Sequence, residues 1–337
     1  MLKRVLATRV LVPLMAIAAV RGIAAAAENP FLGDWGLTLP GGAAGWLGVE
    51  TTNGRLRASV MWVAGSVVPV ASVRMEKDHL VLTREHTSQR NEAGKTIKRT
   101  IIETITATVE GNALKGTSVQ SRENGQGEER SEFTGKRTPP MLPAPDLKKV
   151  KFGPPILLFD GHNLTGWRLT KASAVNGWSV KNGLLINSNV QEEGKPHKDF
   201  GNLRTDREFE DFNLTLDVRV PEHGNSGIYL RGMYEVQVED NFGRLPTTHS
   251  IGSIYSRIKP TSNPCKAPGQ WQSFDITFVD RHVTVILNGT TVIDNQPVAG
   301  CTGGALWSDV TRPGPIYLQG DHTSIEYRNI VLRPVVR

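Results

Sequence analysis

The residues best equipped for chemistry fall within one stretch, Asn225 to Asp240, where polar side chains recur at alternate positions. Successive side chains of a β-strand point to opposite faces, so Ile228 and Leu230 share one face of a first strand while Asn225, Tyr229 and Arg231 share the other. A second strand repeats the pattern, with Val236 and Val238 opposed to Glu235, Gln237 and Glu239. One face suits a core, and the other offers a floor of carboxylate, amide, phenol and guanidinium groups for a polar ligand. Near the C-terminus, Tyr317, Gln319 and Asp321 alternate against Ile316 and Leu318, and His322 follows at the strand end. A histidine beside a carboxylate suits proton transfer near neutral pH. Glu235, His322 and Asp240 are therefore the candidate catalytic groups. Asn225, Tyr229, Arg231, Gln237, Tyr255, Lys266, Gln319 and Asp321 are the candidate binding groups. Residue type alone leaves a structural role open for each of them, including an ion pair between Arg231 and Glu235 and a loop-capping role for His322.

Elements of one kind must position these groups. Strand-like runs separated by Gly, Pro and Asn turns recur along the chain without helical periodicity, which predicts an all-β protein. Residues 28–138 read as a small β-barrel, lipocalin-like in shape, in which Ile and Thr alternate over Thr100 to Val109 and Trp35, Trp46 and Trp62 serve as interior packing. Residues 139–154 carry Pro139, Pro140, Pro143 and Pro145 and read as an extended linker. Residues 155–337 hold many more antiparallel strands, enough for a two-sheet jelly-roll sandwich, with a tight hairpin at Asn288-Gly289.

The chain of 337 residues is long enough for two cores, and its formal charge is +6. Lys3, Arg4, Arg9 and Arg21 lie in a leader with a basic start, an apolar run and small residues before Glu28, the pattern of a signal peptide over residues 1–27. Without those four charges the balance is 6 − 4 = +2, so neither nucleic acid nor an acidic lipid surface is expected as a partner. A secreted or periplasmic location is expected, with no stable membrane insertion. Cys265 and Cys301 sit in Gly/Pro-rich loops, where an oxidising compartment allows either one disulfide or two separate buried thiols. Glu192, Glu193, His197 and Asp199 form a polar loop without metal-ligand spacing, so no metal and no cofactor are expected.

The motifs Phe159-Asp-Gly-His-Asn-Leu-Thr-Gly-Trp167, Asn225-Ser-Gly-Ile-Tyr-Leu-Arg-Gly232, Tyr234-Glu-Val-Gln-Val238, Pro268-Gly-Gln-Trp-Gln272, Gly314-Pro-Ile-Tyr-Leu-Gln-Gly-Asp-His322 and Tyr327-Arg-Asn-Ile330 together resemble the 3-keto-disaccharide hydrolase family, formerly a domain of unknown function. The resemblance runs in order from about residue 155 to about residue 335. It implies a concanavalin A-like sandwich and an exported protein that cleaves disaccharides or related glycosides, including ones oxidised at carbon 3, by elimination and hydration or by hydrolysis. Glu235-x-Gln237-x-x-Asp240 is similar to the carboxylate-bearing strand of sandwich-fold β-glucanases, but the amide of Gln237 stands where those enzymes carry a second carboxylate. The same sandwich also hosts lectins, so a non-catalytic carbohydrate-binding protein is the alternative.

Overall fold

Alternation with a period of two governs nearly every element of the chain. The computed structural model describes residues 29–92, 95–122 and 126–336, and the expected signal peptide, residues 1–27, lies outside them. Helix is confined, among the described residues, to a 3-10 turn at Pro40–Gly42. The all-β expectation is met.

The first sheet contains β1 (Gly33–Thr38), β2 (Ala44–Thr52), β3 (Arg55–Met61), β4 (Val68–Pro69), β5 (Ser72–Glu76), β6 (His79–Glu92), β7 (Lys95–Glu110), β8 (Ala113–Ser121) and β9 (Glu128–Arg137). Its order is β4-β3-β2-β1-β9-β8-β7-β6-β5. Ile101, Ile105 and Ala107 of β7 turn inward with Leu80, Leu82, Leu114 and Phe133, while Ile102 faces solvent, as the Ile/Thr alternation requires. β4 and β5 remain as the two edges, so hydrogen bonding closes no barrel among the described residues.

Two further sheets form the sandwich. The larger runs Trp178–Lys181, Leu184–Asn187, Ile325–Val336, Phe212–Arg219, Trp271–Val279, His282–Leu287 and Thr290–Pro297, with Lys151–Phe152 and Ile156–Leu157 also paired to Ile325–Val336. The smaller runs Trp167–Leu169, Leu203–Thr205, Tyr317–Leu318, Asn225–Leu230 and Tyr234–Glu239. Ile228, Leu230, Val236, Val238 and Leu318 of the smaller sheet join Leu214, Leu216, Ile276, Val285 and Leu332 of the larger one in a single core. Each such buried side chain contributes roughly 1.5–3 kcal/mol of transfer free energy. The opposite face of the smaller sheet carries the polar residues.

The first sheet packs against this sandwich. Trp46 does not pack inside its own sheet but belongs to the sandwich core, where a Cβ on Gly300 would lie only 2.2 Å from its Cδ1. The Arg257 guanidinium lies 4.4 Å above the Trp46 ring and donates to Cys301 O from Nη2 at 2.7 Å. The proline-rich segment is tied down as well: Arg281 Nη2 donates to Pro139 O and Pro140 O at 2.9 and 2.8 Å, and Asn295 Nδ2 donates to Pro145 O at 2.9 Å. From Phe31 onward the chain forms one compact unit.

Cys265 and Cys301 are both buried and free, so the disulfide is not formed. Their thiols face different partners: Cys265 Sγ donates to the adjacent Lys266 O at 3.3 Å, and Cys301 Sγ points to Gly45 O of the first sheet at 3.6 Å. A thiol titration under denaturing, non-reducing conditions should find two free groups, and a count of zero would reinstate the bridge.

Candidate functional site

Antiparallel register sets the site. Tyr317 pairs with Tyr229 and Tyr229 with Glu235, so three polar side chains from three adjacent strands stand in one row on the face away from the core. The neighbouring row, Leu318, Ile228 and Val236, points into the sandwich. Gly227 lies opposite Gln237, and a Cβ on Gly227 would sit 2.4 Å from Glu235 Oε1. Glycine at that position lets the Glu235 carboxyl lie flat across the neighbouring strand.

Tyr229 and Tyr317 stack with ring centroids 3.8 Å apart and an interplanar angle of 13°. Their phenols donate to Gly303 O at 2.8 Å and Gly304 O at 2.7 Å, which fixes the 303–304 backbone as a wall above the floor. Tyr255 lines the cavity from another side, held by its N–H donating to Glu235 O at 3.0 Å. The segment that carries His322 is held just as firmly. Gln319 N donates to Gly227 O at 2.9 Å, Gly320 N to Asn202 Oδ1 at 2.7 Å, and Asn187 Nδ2 to Gly320 O at 2.9 Å.

These elements enclose a cavity of about 170 Å³ lined by Asn225, Tyr229, Glu235, Gln237, Tyr255, Gln319, Asp321 and His322, together with Ala64, Asn202, Gly303, Gly304 and Tyr317. Gln237 Nε2 donates to Asn225 Oδ1 at 3.1 Å, while Gln237 Oε1 and Gln319 Oε1 are buried without a protein hydrogen-bond partner. Such acceptors match the hydroxyl donors of a polar ligand. A larger groove of about 410 Å³ is lined by Asn187, Pro221 and the mutually paired Arg219 and Glu326, and holds no comparable proton-transfer set.

Electrostatics separates the two acidic centres. Burial pushes the Glu235 carboxyl up to about 8, partly opposed by the Tyr229 phenol and reinforced by the negative charge of Asp321. The carboxyl is therefore mainly protonated at neutral pH. Asp321 Oδ1 and His322 Nδ1 are 2.7 Å apart, and that hydrogen bond raises the imidazole above its usual value against the opposing effect of partial burial. The Tyr229 phenol is raised well above its usual value by burial, so it stays protonated.

Three sequence candidates lie elsewhere. Asn225–Leu230 ends before Arg231, whose φ of 54° turns the chain and breaks the alternation. The Arg231 guanidinium is buried and donates to Arg312 O from Nε at 3.0 Å and to Val310 O from Nη2 at 2.9 Å, so it pairs with main-chain carbonyls rather than with Glu235. Asp240 lies past the end of Tyr234–Glu239, where its carboxylate accepts from His223 N at 3.1 Å. Lys266 Nζ donates to Trp271 O at 3.2 Å and does not overhang the floor. Sequence reasoning overlooked Asn202, Ala64, Gly303 and Gly304. The Gly pair is a visible turn signal, but nothing in sequence brings residue 64 to residue 303.

A family model described as a 3-keto-alpha-glucoside-1,2-lyase-like domain matches residues 154–333. Among solved structures, a candidate glycosyl hydrolase from Parabacteroides distasonis is 31% identical, with a TM-score of 0.44, coverage of 57% of this chain and 93% of its own. Another from the same organism is 24% identical, with a TM-score of 0.40 and coverage of 54% and 100%. A non-specific endo-β-1,3(4)-glucanase is 9% identical, with a TM-score of 0.35 and coverage of 58% and 94%. No curated protein sequence matches significantly.

The raised Glu235 value has a consequence for stability. The carboxyl ionises from its ordinary 4.5 in the unfolded chain but only near 8 in the folded one, so the folded state loses relative stability as pH rises between those values. Glu235→Gln removes that loss, by a few kcal/mol. Denaturant unfolding at several pH values should show the variant gaining on wild type between the two values and holding a constant gain above about 8. A difference that does not change with pH would contradict the burial argument.

Proposed function

The chain belongs to the 3-keto-alpha-glucoside-1,2-lyase-like domain family, and from that premise we propose that it is an exported enzyme that cleaves 3-keto-glycosides, disaccharides among them, by acid/base elimination and hydration. The observation that carries this reading is a buried carboxyl that keeps its proton to about 8, sharing one cavity with a carboxylate–imidazole pair.

A keto group at carbon 3 acidifies the proton on carbon 2. His322, with Nδ1–H directed at Asp321 Oδ1, presents Nε2 as the base that takes this proton. The electron pair left on carbon 2 passes into an enolate, then returns to restore the ketone, form the carbon 1–carbon 2 double bond and expel the glycosidic oxygen. Glu235 donates its proton to that leaving oxygen. Hydration runs the roles backward: Glu235 as carboxylate takes a proton from water attacking carbon 1, and protonated His322 returns a proton to carbon 2. Gln237 Oε1 and Gln319 Oε1 accept from sugar hydroxyls, and Asn225 orients Gln237. Neutral Tyr229 gives Glu235 a fixed hydrogen-bonding neighbour.

This assignment makes Glu235 the acid at neutral pH rather than the base. The rate on a 3-keto-glycoside should rise as His322 loses its proton, above the usual imidazole value, and fall again as Glu235 ionises near 8. Glu235→Gln should lower turnover at least ~10²-fold. Purified protein incubated with 3-keto-trehalose and with trehalose, followed by mass spectrometry in D2O, should convert only the oxidised sugar and place deuterium at carbon 2. Cleavage without deuterium would replace elimination by direct hydrolysis. Calorimetric binding of both sugars without product would replace catalysis by a lectin-like role.

A further inference from the structure

Resting on the reading of this cavity as a saccharide site, we propose that the β3–β4 loop of the first sheet, residues 62–67, is its specificity wall and restricts the enzyme to the terminal sugar of a small glycoside. Ala64 lines the same cavity as Glu235 and His322 although it belongs to the other sheet. The loop is pressed against the sandwich side of that cavity. A Cβ on Gly303 would lie 2.6 Å from Ala64 O and 2.7 Å from Gly65 O, so the two backbones meet without room for a side chain. Gly303 O is also the acceptor for Tyr229, the neighbour of Glu235 in the floor. The wall thus abuts the segment that holds the floor in place.

Two ties secure the loop on either side of Tyr255. Ser66 Oγ and His249 Nε2 are 3.0 Å apart, and Val67 N donates to Ser256 Oγ at 2.8 Å. The His249 ring meets Tyr255 edge to face at 4.8 Å, which links the tie to a residue that lines the cavity. Val63 adds an independent sign. Its φ of 58° is a left-handed conformation strongly disfavoured for a β-branched residue, while its side chain is 49% exposed and so has little packing to compensate. Backbone strain of this kind persists where surrounding contacts fix the chain for a purpose.

A cavity of about 170 Å³ lies below the ~300–1,000 Å³ usual for drug-sized ligands, and suits one sugar ring with its leaving group at the open side. A polysaccharide laid across the floor would have to pass through Ala64 and Gly65.

The test compares native protein with Ala64→Trp and with a released loop, Val63→Gly combined with Ser66→Ala. Ala64 is exposed and lines the cavity, so a larger side chain there meets no buried packing. Ala64→Trp should raise KM for 3-keto-trehalose at least ~10-fold with kcat largely kept, the scale on which pocket shape discriminates. The released loop should raise that KM as well, and should cleave a glucan tetrasaccharide oxidised at carbon 3 of an internal ring, which the native protein leaves intact. Thermal melting of each variant separates these effects from loss of fold. An unchanged KM in Ala64→Trp, or native cleavage of the tetrasaccharide as readily as of 3-keto-trehalose, overturns the wall while leaving the saccharide reading standing. A native protein that neither binds nor converts either compound removes the saccharide reading, and the wall with it.

Discussion

Withdrawal of the Glu235 carboxyl from water is the constraint on which the remaining geometry depends. A carboxyl on an exposed strand face would ionise in the ordinary range, and it is the closure around this one that moves it to about 8. Closure needs a glycine beneath the carboxyl at 227, two stacked tyrosines beside it, and a main-chain wall above them at 303 and 304. Each part depends on the next. The phenols that exclude water are themselves satisfied only because Gly303 O and Gly304 O accept from them, since a buried hydroxyl without a partner is destabilising.

One short segment, 300–304, links this closure to the packing of the two sheets. Gly300 receives Trp46 from the first sheet, Cys301 O accepts from Arg257, and Thr302 Oγ1 accepts from Glu235 N at 3.0 Å before the chain reaches the two wall glycines. Packing of the first sheet and placement of the acid therefore share the same five residues. Trp46, Tyr229 and Tyr317 thus all bear on one continuous stretch of backbone, in which neither Gly300 nor Gly303 has spare room. That coupling makes the first sheet part of the site's architecture even though it supplies no acid or base.

The floor was legible in the sequence because period two is a local signal: Tyr229, Glu235 and Gln237 alternate with Ile228, Val236 and Val238 whatever the rest of the chain does. Asp321 and His322 lie beyond the end of Tyr317–Leu318, and what marks them in the sequence is the adjacent carboxylate and imidazole rather than the period. Alternation holds only while the strand lasts, and a positive φ at Arg231 takes that side chain out of the pattern and away from the floor. Asp240 lies past a strand end and Lys266 in a loop whose direction sequence does not fix, so neither joins the floor. Trp46 is a packing residue, as its type predicts, but tertiary contact places it in the sandwich core rather than inside its own sheet. Ala64 and Gly303 lay beyond reach altogether, since their proximity is a product of tertiary packing and neither residue type carries chemistry of its own.

The division of labour follows from what each kind of element does well. Proton transfer requires groups held to a fraction of an ångström, and strands buried on one face with hydrogen-bonded neighbours on both sides supply that rigidity. Glu235 sits on such a strand, between the row that ends at Tyr317 and the bridge from Val236 to Ile254. Access requires only that a volume be filled, and a turn held by two side-chain ties is sufficient. Replacing the residues of that turn alters what enters without moving the row of Tyr317, Tyr229 and Glu235, because the loop bears on that row through Gly303 and through the His249–Tyr255 contact rather than through the carboxyl itself. Chemistry fixed on the sandwich and admission set by the first sheet can therefore vary separately, so long as the 300–304 segment between them is kept.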